Sequence, residues 1–186
     1  MTIAGYTRVD ALTQEQWDYG NQCFAEFVSD LPDRLVNTLL ELRGRKMGSQ
    51  VDRFEHSLQT ATRALRDGAD EEMIVCALLH DIGDDFAPCN HGEVAAAILR
   101  PYVSPENAWM IEHHEVFLGY HFYQFLGRDR HERNKFKDHP AFEQAIIFCD
   151  RWDQLSFDPE YDSLPLSEFR PMLDAVFSRQ PKVVSG

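Results

Sequence analysis

Histidine and aspartate side chains occur in several apolar segments of this chain, and one adjacent pair is the most informative. His80 and Asp81 directly follow the apolar run Ala77-Leu78-Leu79, and Gly83 comes two residues later. An imidazole and a carboxylate that are buried side by side lose their hydration and need a partner inside the protein. We expect that partner to be a bound metal ion.

Other metal-capable residues lie on other predicted helices, most of them beside apolar neighbours. They are His56, His91, the pair His113 and His114, and Asp150 or Asp153. Taken singly, each is more often an ordinary core or solvated residue. Together they fit a helical bundle, which builds metal sites from side chains on facing helices. Imidazoles and carboxylates without a thiolate suit iron, manganese or zinc rather than a cysteine-rich structural zinc centre.

The composition limits the class of protein that holds this site. A length of 186 residues with 44% hydrophobic content suits one domain with a substantial core. The 18 basic and 31 acidic residues give a net charge of −13, which repels nucleic acid and anionic membranes. We therefore expect a small-molecule substrate, and neither a nucleic-acid nor a membrane partner.

Cysteine usage and the first residues indicate the compartment. The four cysteines are widely spread and form no C-x-x-C pair, as is usual for thiols in a reducing cytoplasm. Residues 1–6 lack the charged start and long apolar core of a signal peptide, and no apolar run is long enough to span a bilayer. We expect a cytoplasmic protein, and nothing in the sequence predicts its oligomeric state.

The first elements are predicted to be two helices and a basic loop. Residues 13–16 have the pattern of a capping box and open the first helix. Its apolar residues fall at helical spacing: Trp17, Phe24, Phe27, Val28 and Leu31. Pro32 restarts the pattern for a second helix, which the glycine-bearing basic loop Arg43 to Ser49 follows. We assign residues 1–51 to these elements and residues 52–178 to a metal-binding helical core, within a single domain of residues 1–186.

The helices of the core must position the metal-capable residues. They are predicted from Asp52 up to Gly68, over 71–82, from Asn90 to Leu99, from Pro105 onward to Phe125, from Pro140 to near Phe157, and over 167–177. The second of these carries His80 and Asp81 into its last turn. No segment alternates with a period of two for long enough to indicate a strand, so the predicted fold class is all-α.

At these residues the sequence resembles a known family. A histidine at 56, a His-Asp pair after two leucines and a late aspartate resemble the HD-domain superfamily of all-helical metalloenzymes. Residues 54–59 and 78–83 are most similar to the small HD-domain mixed-valent diiron oxygenases that cleave hydroxyalkylphosphonates, relatives of myo-inositol oxygenase. Residues 91–95, 111–114, 151–153, 157–159 and 165–171 add to this resemblance. It implies an HD-domain helical bundle with a dinuclear metal site in its core.

The resemblance also implies which residues bind metal. The implied ligands of the first metal are His56, His80, Asp81 and Asp153, and those of the second are Asp81, His91 and His114. Asp81 can bridge because one carboxylate offers two oxygens; with His80 and His114 it makes up the implied catalytic set. His114 fits the family pattern better than His113, and Asp153 better than Asp150. Both alternatives stay open, since Asp150 lies one turn earlier on the same predicted helical face.

Three positions depart from the pattern of the phosphonate oxygenases. Those enzymes cover the vacant iron position with a Tyr and a Glu, where this chain has Lys46 and Ser49. They also grip phosphonate with a lysine at the position of Leu118. Cations of the basic loop and neighbouring residues are therefore the candidates for substrate contact. The predicted substrate-binding residues are Lys46, Arg53, His113 and His121.

Two functions from different chemical classes fit this site. The resemblance favours a non-haem diiron oxygenase, in which an Fe2+/Fe3+ pair and dioxygen oxidise or cleave a small hydroxylated substrate, with phosphonate-like compounds as one candidate class. The alternative is a phosphohydrolase that uses Mn2+ or another divalent metal on a nucleotide or other phosphate ester and needs no redox change. The Arg-Trp-Asp match at residues 151–153 favours the oxygenase.

Overall fold

Eight α-helices make up most of the described chain, which is residues 5–182 of the computed structural model. They are α1 (Gln14–Ser29), α2 (Leu31–Glu41), α3 (Arg53–Arg66), α4 (Glu71–Leu79), α5 (His91–Leu99), α6 (Pro105–Leu118), α7 (Phe142–Ile147) and α8 (Leu166–Phe177). Short 3-10 helices lie at Val9–Ala11, Gly119–His121, Tyr123–Leu126, Glu132–Phe136 and Asp153–Leu155, and a π-helical turn lies at Phe148–Trp152. No strand occurs within residues 5–182, so the all-helical prediction is confirmed. Residues 1–4 and 183–186 lie outside the described residues, and so does most of the segment 1–6 that was predicted not to be a signal peptide.

The central helix is α4, whose side chains from Met73 to Leu79 are all buried. It packs against α3, α6 and α8, and α5 packs along α6. A helix that is apolar all round belongs in a core. Because α4 ends inside the protein, it delivers the next two residues there as well: His80 is 0% and Asp81 is 1% exposed.

Side-chain caps fix the starts of the helices that carry the histidines. Asp52, Asp70 and Ser104 each accept a hydrogen bond from the backbone N–H three residues later, at the starts of α3, α4 and α6. The capping box predicted at Thr13 is also present. Asn90 stands at the N-cap position of α5, but its side chain makes no capping bond.

Two predicted helices are shorter in the structure than the sequence indicated. The helix predicted to reach Ile82 ends at Leu79, because the N–H of Ile82 turns back to the carbonyl of Leu79 in a tighter turn. The helix predicted to reach Phe125 ends at Leu118. The Tyr123 ring folds back over Gly119 so closely that a Cβ there would meet it at 2.3 Å. The chain after Leu118 therefore continues in 3-10 turns.

The helix predicted from Pro140 to near Phe157 is divided into three parts. Its α-helical portion, α7, gives way to the π-helical turn at Phe148–Trp152 and then to the 3-10 turn at Asp153–Leu155. A π turn holds more residues per turn than an α-helix, so residues three apart no longer share a face. The predicted common face of Asp150 and Asp153 is therefore wrong.

Helix α1 lies at the periphery and has no buried residue. Its main contact is with α2. Trp17, Phe24 and Phe27, whose spacing predicted the helix, are 54%, 65% and 59% exposed. No helix within residues 5–182 combines the length and the apolar character needed to cross a membrane.

Candidate metal centre

Six buried side chains from five parts of the fold meet in the core. His56 comes from α3, His80 and Asp81 follow α4, His91 opens α5, His114 comes from α6, and Asp153 follows the π-helical turn. Each is at most 9% exposed. The structure thus brings together all six residues that the sequence predicted as metal ligands. Four of the histidines face one or the other oxygen of Asp81 and so define two groups, which His80, His114 and Asp153 link because their ligand atoms also lie close together.

The first group surrounds one oxygen of Asp81. His56 Nε2 and His80 Nε2 each lie 3.2 Å from Asp81 Oδ2. On the other side, Asp153 Oδ1 is 3.2 Å from His56 Nε2 and 3.7 Å from His80 Nε2. Both imidazole nitrogens therefore lie within 3.7 Å of one oxygen of Asp81 and one oxygen of Asp153.

The second group surrounds the other oxygen of the same carboxylate. His91 Nε2 lies 3.1 Å and His114 Nε2 3.4 Å from Asp81 Oδ1. The two histidine Nε2 atoms are 3.2 Å apart. Asp81 therefore presents one oxygen to each group, which is the arrangement of a carboxylate that bridges two cations.

Backbone carbonyls fix the orientation of three of these imidazoles. The Nδ1 atoms of His56, His80 and His114 lie 2.9, 2.8 and 2.7 Å from the carbonyl oxygens of Ser156, Ala77 and Ile111. A carbonyl oxygen only accepts, so each Nδ1 carries the proton and donates. In the neutral rings each Nε2 then presents a lone pair to the centre, as a metal ligand must.

When both rings are neutral, as metal ligands must be, these lone pairs repel each other unless a cation lies between them. His56 Nε2 and His80 Nε2 are 3.1 Å apart, and neither has a hydrogen to give the other in its neutral form. Among the described residues, Asp81 Oδ1 and both carboxylate oxygens of Asp153 are buried without a hydrogen-bond partner. Each such atom costs about 1–3 kcal/mol. The donor set therefore fits metal ions, one for each group.

The electrostatics of the cluster also favour cations. Burial acts to lower the pKa of His80, but the charge of Asp81 and contact with Asp153 outweigh it and raise this pKa to about 10. Burial likewise acts against the His91 imidazolium, whose pKa is raised to about 9 by Asp81 and Asp84. Burial opposes ionisation of Asp81 too, yet the charges of His80 and Arg53 hold its pKa well below the usual range. The carboxylates thus stay ionised and attract positive charge.

Arg53 and Asp84 support the cluster from one side. The Arg53 guanidinium donates to Asp81 Oδ2 and to Asp84 Oδ2, and its side chain is 14% exposed. Each carboxylate oxygen has two lone pairs, so Asp81 Oδ2 can accept from Arg53 and still face the first group. Asp84 Oδ1 also lies 3.2 Å from His91 Nδ1, without the angle of a hydrogen bond.

The other predicted substrate-binding residues lie in different surroundings. Lys46 is exposed in the basic loop. His113 stacks on Trp109 with ring centroids 4.3 Å apart, and its Nδ1 donates to the Trp109 carbonyl. His113 is thus not among the residues gathered at the cluster, whereas its neighbour His114 is. Consecutive residues of a helix point in different directions, so on α6 His114 faces the cluster and His113 faces Trp109.

Asp150 and His121 form a separate polar group. His121 Nε2 lies 2.9 Å from Asp150 Oδ1, and the Arg133 guanidinium donates to both oxygens of that carboxylate. Burial acts to raise the pKa of Asp150, but Arg133 and His121 lower it. Asp150 is therefore engaged outside the two metal-capable groups, while Asp153, beyond the π-helical turn, lies within the first.

Two features of the site were not predicted from the sequence. Asp84 follows the His-Asp pair closely, but its contact with His91 depends on how α5 returns to this turn. The Ser156 carbonyl reaches His56 across a separation of 100 residues. The only signal for either is proximity in sequence to a predicted ligand, Asp81 for Asp84 and Asp153 for Ser156.

Comparison with known proteins agrees with this all-helical fold and its His-Asp cluster. The HD domain family matches residues 53–156, more than half of the chain, and this stretch contains all six cluster residues. The chain belongs to the HD-domain family.

A named relative shares part of the sequence. It is the glycine-betaine-forming 1-hydroxy-2-(trimethylamino)ethyl phosphonate dioxygenase of Leisingera caerulea, 36% identical over 80 residues. The match covers 36% of this chain and 41% of the relative, so less than half of the relative's length is spanned. Family and cluster together indicate an HD-domain metalloprotein.

Proposed function

We propose that this protein is an HD-domain oxygenase that holds two iron ions and uses dioxygen to oxidise or cleave a small hydroxylated substrate. The observation that carries the proposal is the division of Asp81 between two ligand groups. Its Oδ2 lies with His56 and His80, and its Oδ1 lies with His91 and His114. One carboxylate can partly neutralise two cations in this way.

When bound, the two ions supply Lewis acidity and, as an Fe2+/Fe3+ pair, the electron exchange that dioxygen chemistry requires. The protein's own part is to hold the imidazoles in place and to exclude water. The carbonyls of Ala77, Ile111 and Ser156 orient three of the rings. Phe157 stacks on His56 with centroids 4.4 Å apart, and so covers one face of that imidazole.

Two observations support oxygenase chemistry. The relative in Leisingera caerulea is named as a dioxygenase. The ligand set is made of imidazoles and carboxylates without a thiolate, which suits non-haem iron. We propose that the substrate's hydroxyl group is held at the centre and its polar head contacts Lys46, Arg53 or His121.

The basic loop is near enough to the centre to take part in binding the polar head. Arg45 forms an ion pair of 3.1 Å with Asp85, which is next to Asp84. The backbone N–H of Arg53 donates to the Arg45 carbonyl. These contacts join the basic loop to the start of α3 and to the turn after the His-Asp pair. Lys46 therefore lies on a loop that contacts residues next to the cluster.

A phosphohydrolase is the second candidate, and Arg53 is the observation that favours it. Its guanidinium lies beside the bridging Asp81, and guanidinium groups recognise phosphate oxygens well. In that case the two ions would be Mn2+ or another divalent metal, acting as Lewis acids on a phosphate ester.

The test compares two metal forms of the same protein. Iron-loaded protein, reduced to one electron per pair, is given 1-hydroxyalkylphosphonates and small hydroxy acids while dioxygen uptake is recorded. Manganese- and cobalt-loaded protein is given p-nitrophenyl phosphate and nucleotides without oxygen while phosphate is measured. We expect substrate-dependent oxygen uptake from the iron form alone. Phosphate release by the manganese or cobalt form, with no oxygen uptake by the iron form, would establish the hydrolase instead.

Two aspartate variants serve as a matched pair. Asp81→Asn removes the charge of the bridging carboxylate and should abolish oxygen uptake together with metal binding. Asp174→Asn makes the same change on α8, where the carboxylate pairs with Arg170. It should leave both properties unchanged. Equal activity of the two variants would contradict the proposed role of Asp81.

A further inference from the structure

A small cationic pocket lies on the surface, apart from the metal-capable groups. It is lined by Arg63, Arg66, Asp67, Arg151, Trp152 and Tyr161, and its volume is about 150 Å³. Three arginines converge here in a chain whose net charge is −13. We propose that this pocket binds a small oxyanion, either inorganic phosphate or the phosphate group of a monoester.

Two of the arginines are held in place by Tyr161 and by backbone carbonyls. The Arg63 guanidinium lies 3.8 Å from the Tyr161 ring centroid and donates to the Leu155 carbonyl. The Arg66 guanidinium lies 5.2 Å from the same centroid and donates to the Asp162 carbonyl. These contacts use neutral acceptors, so they order both guanidinium groups without cancelling their charge.

The third arginine is ordered by Asp67. Arg151 Nη2 lies 3.0 Å from the Asp67 carboxylate, which also accepts from the indole N–H of Trp152 at 2.7 Å. Each oxygen of this carboxylate therefore already accepts a hydrogen bond at the wall of the pocket. The remaining acidic neighbour is Asp162, which is 3.5 Å from Arg66 with a side chain 97% exposed, so water and salt weaken its effect.

The positive charge of the pocket and a buried N–H group that has no acceptor within residues 5–182 both favour binding of an anion. Three guanidinium groups face two carboxylates, one of them screened by solvent. Among the described residues, the Nε–H of Arg63 is buried without an acceptor. Planar guanidinium groups are the side chains best suited to the paired oxygens of a phosphate.

The size of the pocket selects the group that binds. A volume of about 150 Å³ corresponds to about five water molecules, enough for one tetrahedral oxyanion. The Tyr161 ring is already contacted by two guanidinium groups, so cations line this part of the pocket. The ligand is therefore recognised through its anionic group.

This pocket is separate from the metal-capable groups but is connected to them. Arg63 follows His56 by seven residues on α3, a rise of about 10 Å. Trp152 precedes Asp153 directly, and the Leu155 carbonyl that binds Arg63 precedes Ser156, whose carbonyl orients His56. An oxyanion in the pocket would therefore brace the turn that carries Asp153.

The test uses the indole resonances of the zinc-loaded protein, which is diamagnetic. The chain has three tryptophans, and Trp152 alone contributes its indole to the pocket described above. With 15N-labelled tryptophan, we titrate inorganic phosphate and, separately, glycerol phosphate at constant low ionic strength, because salt screens exposed charges. We expect saturable movement of the Trp152 resonance, with Trp17 unmoved. The tighter of the two ligands identifies the source of the oxyanion.

Charge-matched variants distinguish the pocket from phosphate bound at the metals. The loss of one charge-assisted hydrogen bond should raise the dissociation constant of the oxyanion about tenfold in Arg66→Gln. The double variant Arg63→Gln/Arg66→Gln loses more of these bonds, so its dissociation constant should rise further. Arg170→Gln makes the same charge change on α8 and should leave it unaltered. The single variant at Arg66, a surface side chain, guards against misfolding of the double variant. An unmoved Trp152 resonance, or equal affinity in the three variants, would overturn the proposal.

Discussion

Gly83 lies against the backbone at the start of α5, and this close packing predicts how a substitution there affects the second metal position. Gly83 lies two residues after Asp81, where the chain turns towards α5. A Cβ on Gly83 would meet the His91 carbonyl oxygen at 2.7 Å and Val94 Cβ at 3.0 Å. Both partners belong to the start of α5, and one is backbone that no side-chain rotation can move away. Gly83→Ala must therefore push α5 away from the turn that carries Asp81.

The expected displacement is large for a metal site. The Cβ contact of 2.7 Å is 0.7 Å short of the 3.4 Å at which ordinary contact begins. Metal–ligand distances tolerate deviations of about 0.2 Å. We therefore expect affinity for the second metal, held by His91 and His114, to fall about 10- to 100-fold. Overpacking should also cost about 1–3 kcal/mol of stability, or about 2–4 °C in Tm for each kcal/mol.

The assay combines a two-site metal titration with thermal unfolding. Affinity for the first metal should change less, because the three atoms nearest to the added Cβ belong to His91 and Val94 and to none of His56, His80 and Asp153. Gly20→Ala is the matched control: Gly20 is in α1 and nothing lies within 4 Å of its added Cβ. That variant should bind both metals normally and gain about 0.5–1 kcal/mol of stability. Wild-type affinity for the second metal and wild-type Tm in Gly83→Ala would refute the reasoning.

Three further predictions concern neighbouring or supporting residues. His114→Ala and Asp153→Ala should reduce metal affinity steeply, and His113→Ala and Asp150→Ala much less, in titrations followed by elemental analysis; the reverse order would contradict the ligand assignment. Asp84→Asn should weaken binding of the second metal selectively, about 10-fold or more, because its carboxylate faces His91 Nδ1; an equal effect on both metals would argue against this positioning role. Glu72 is the third case: burial acts to raise its pKa, but the Ser104 amide, Arg179 and Asn107 lower it below the usual 4.5. A depressed folded pKa adds stability that is present above the unfolded value and lost as pH falls through the folded one. The difference in unfolding free energy between wild type and Glu72→Gln, measured with urea, should therefore shrink as pH falls below about 4.5. A difference that stays constant with pH would contradict this prediction.

The sequence predicted the elements of this fold better than their ends. Caps at Asp52, Asp70 and Ser104 are local signals, and all three are present. The ends after Leu79 and Leu118 depend on tertiary contacts, such as the Tyr123 ring over Gly119, that no periodicity reports. The π-helical turn is a further example, because nothing in residues 148–152 distinguishes it from an ordinary helix.

The candidate site divides in the same way. The six ligand candidates were predicted because His and Asp in apolar segments are unusual and match a family pattern, and the structure gathers all six. Their supporting contacts were not predicted. Arg53 was predicted only as a substrate contact, and the bonds that its guanidinium donates to Asp81 and Asp84 were not predicted. Long-range partners of this kind depend on the folded arrangement of α3, α4 and α5, which local sequence does not encode.

The central claim is that two metal ions share Asp81, and one measurement tests it most directly. Iron-loaded wild-type protein, poised at one electron per pair, is analysed for iron content and by electron paramagnetic resonance. We predict two irons per chain and a spin-coupled signal that integrates to one unpaired electron per pair, with both irons lost together in Asp81→Ala. One iron per chain in carefully reconstituted protein, or only the signal of isolated ferric iron, would contradict the dinuclear account.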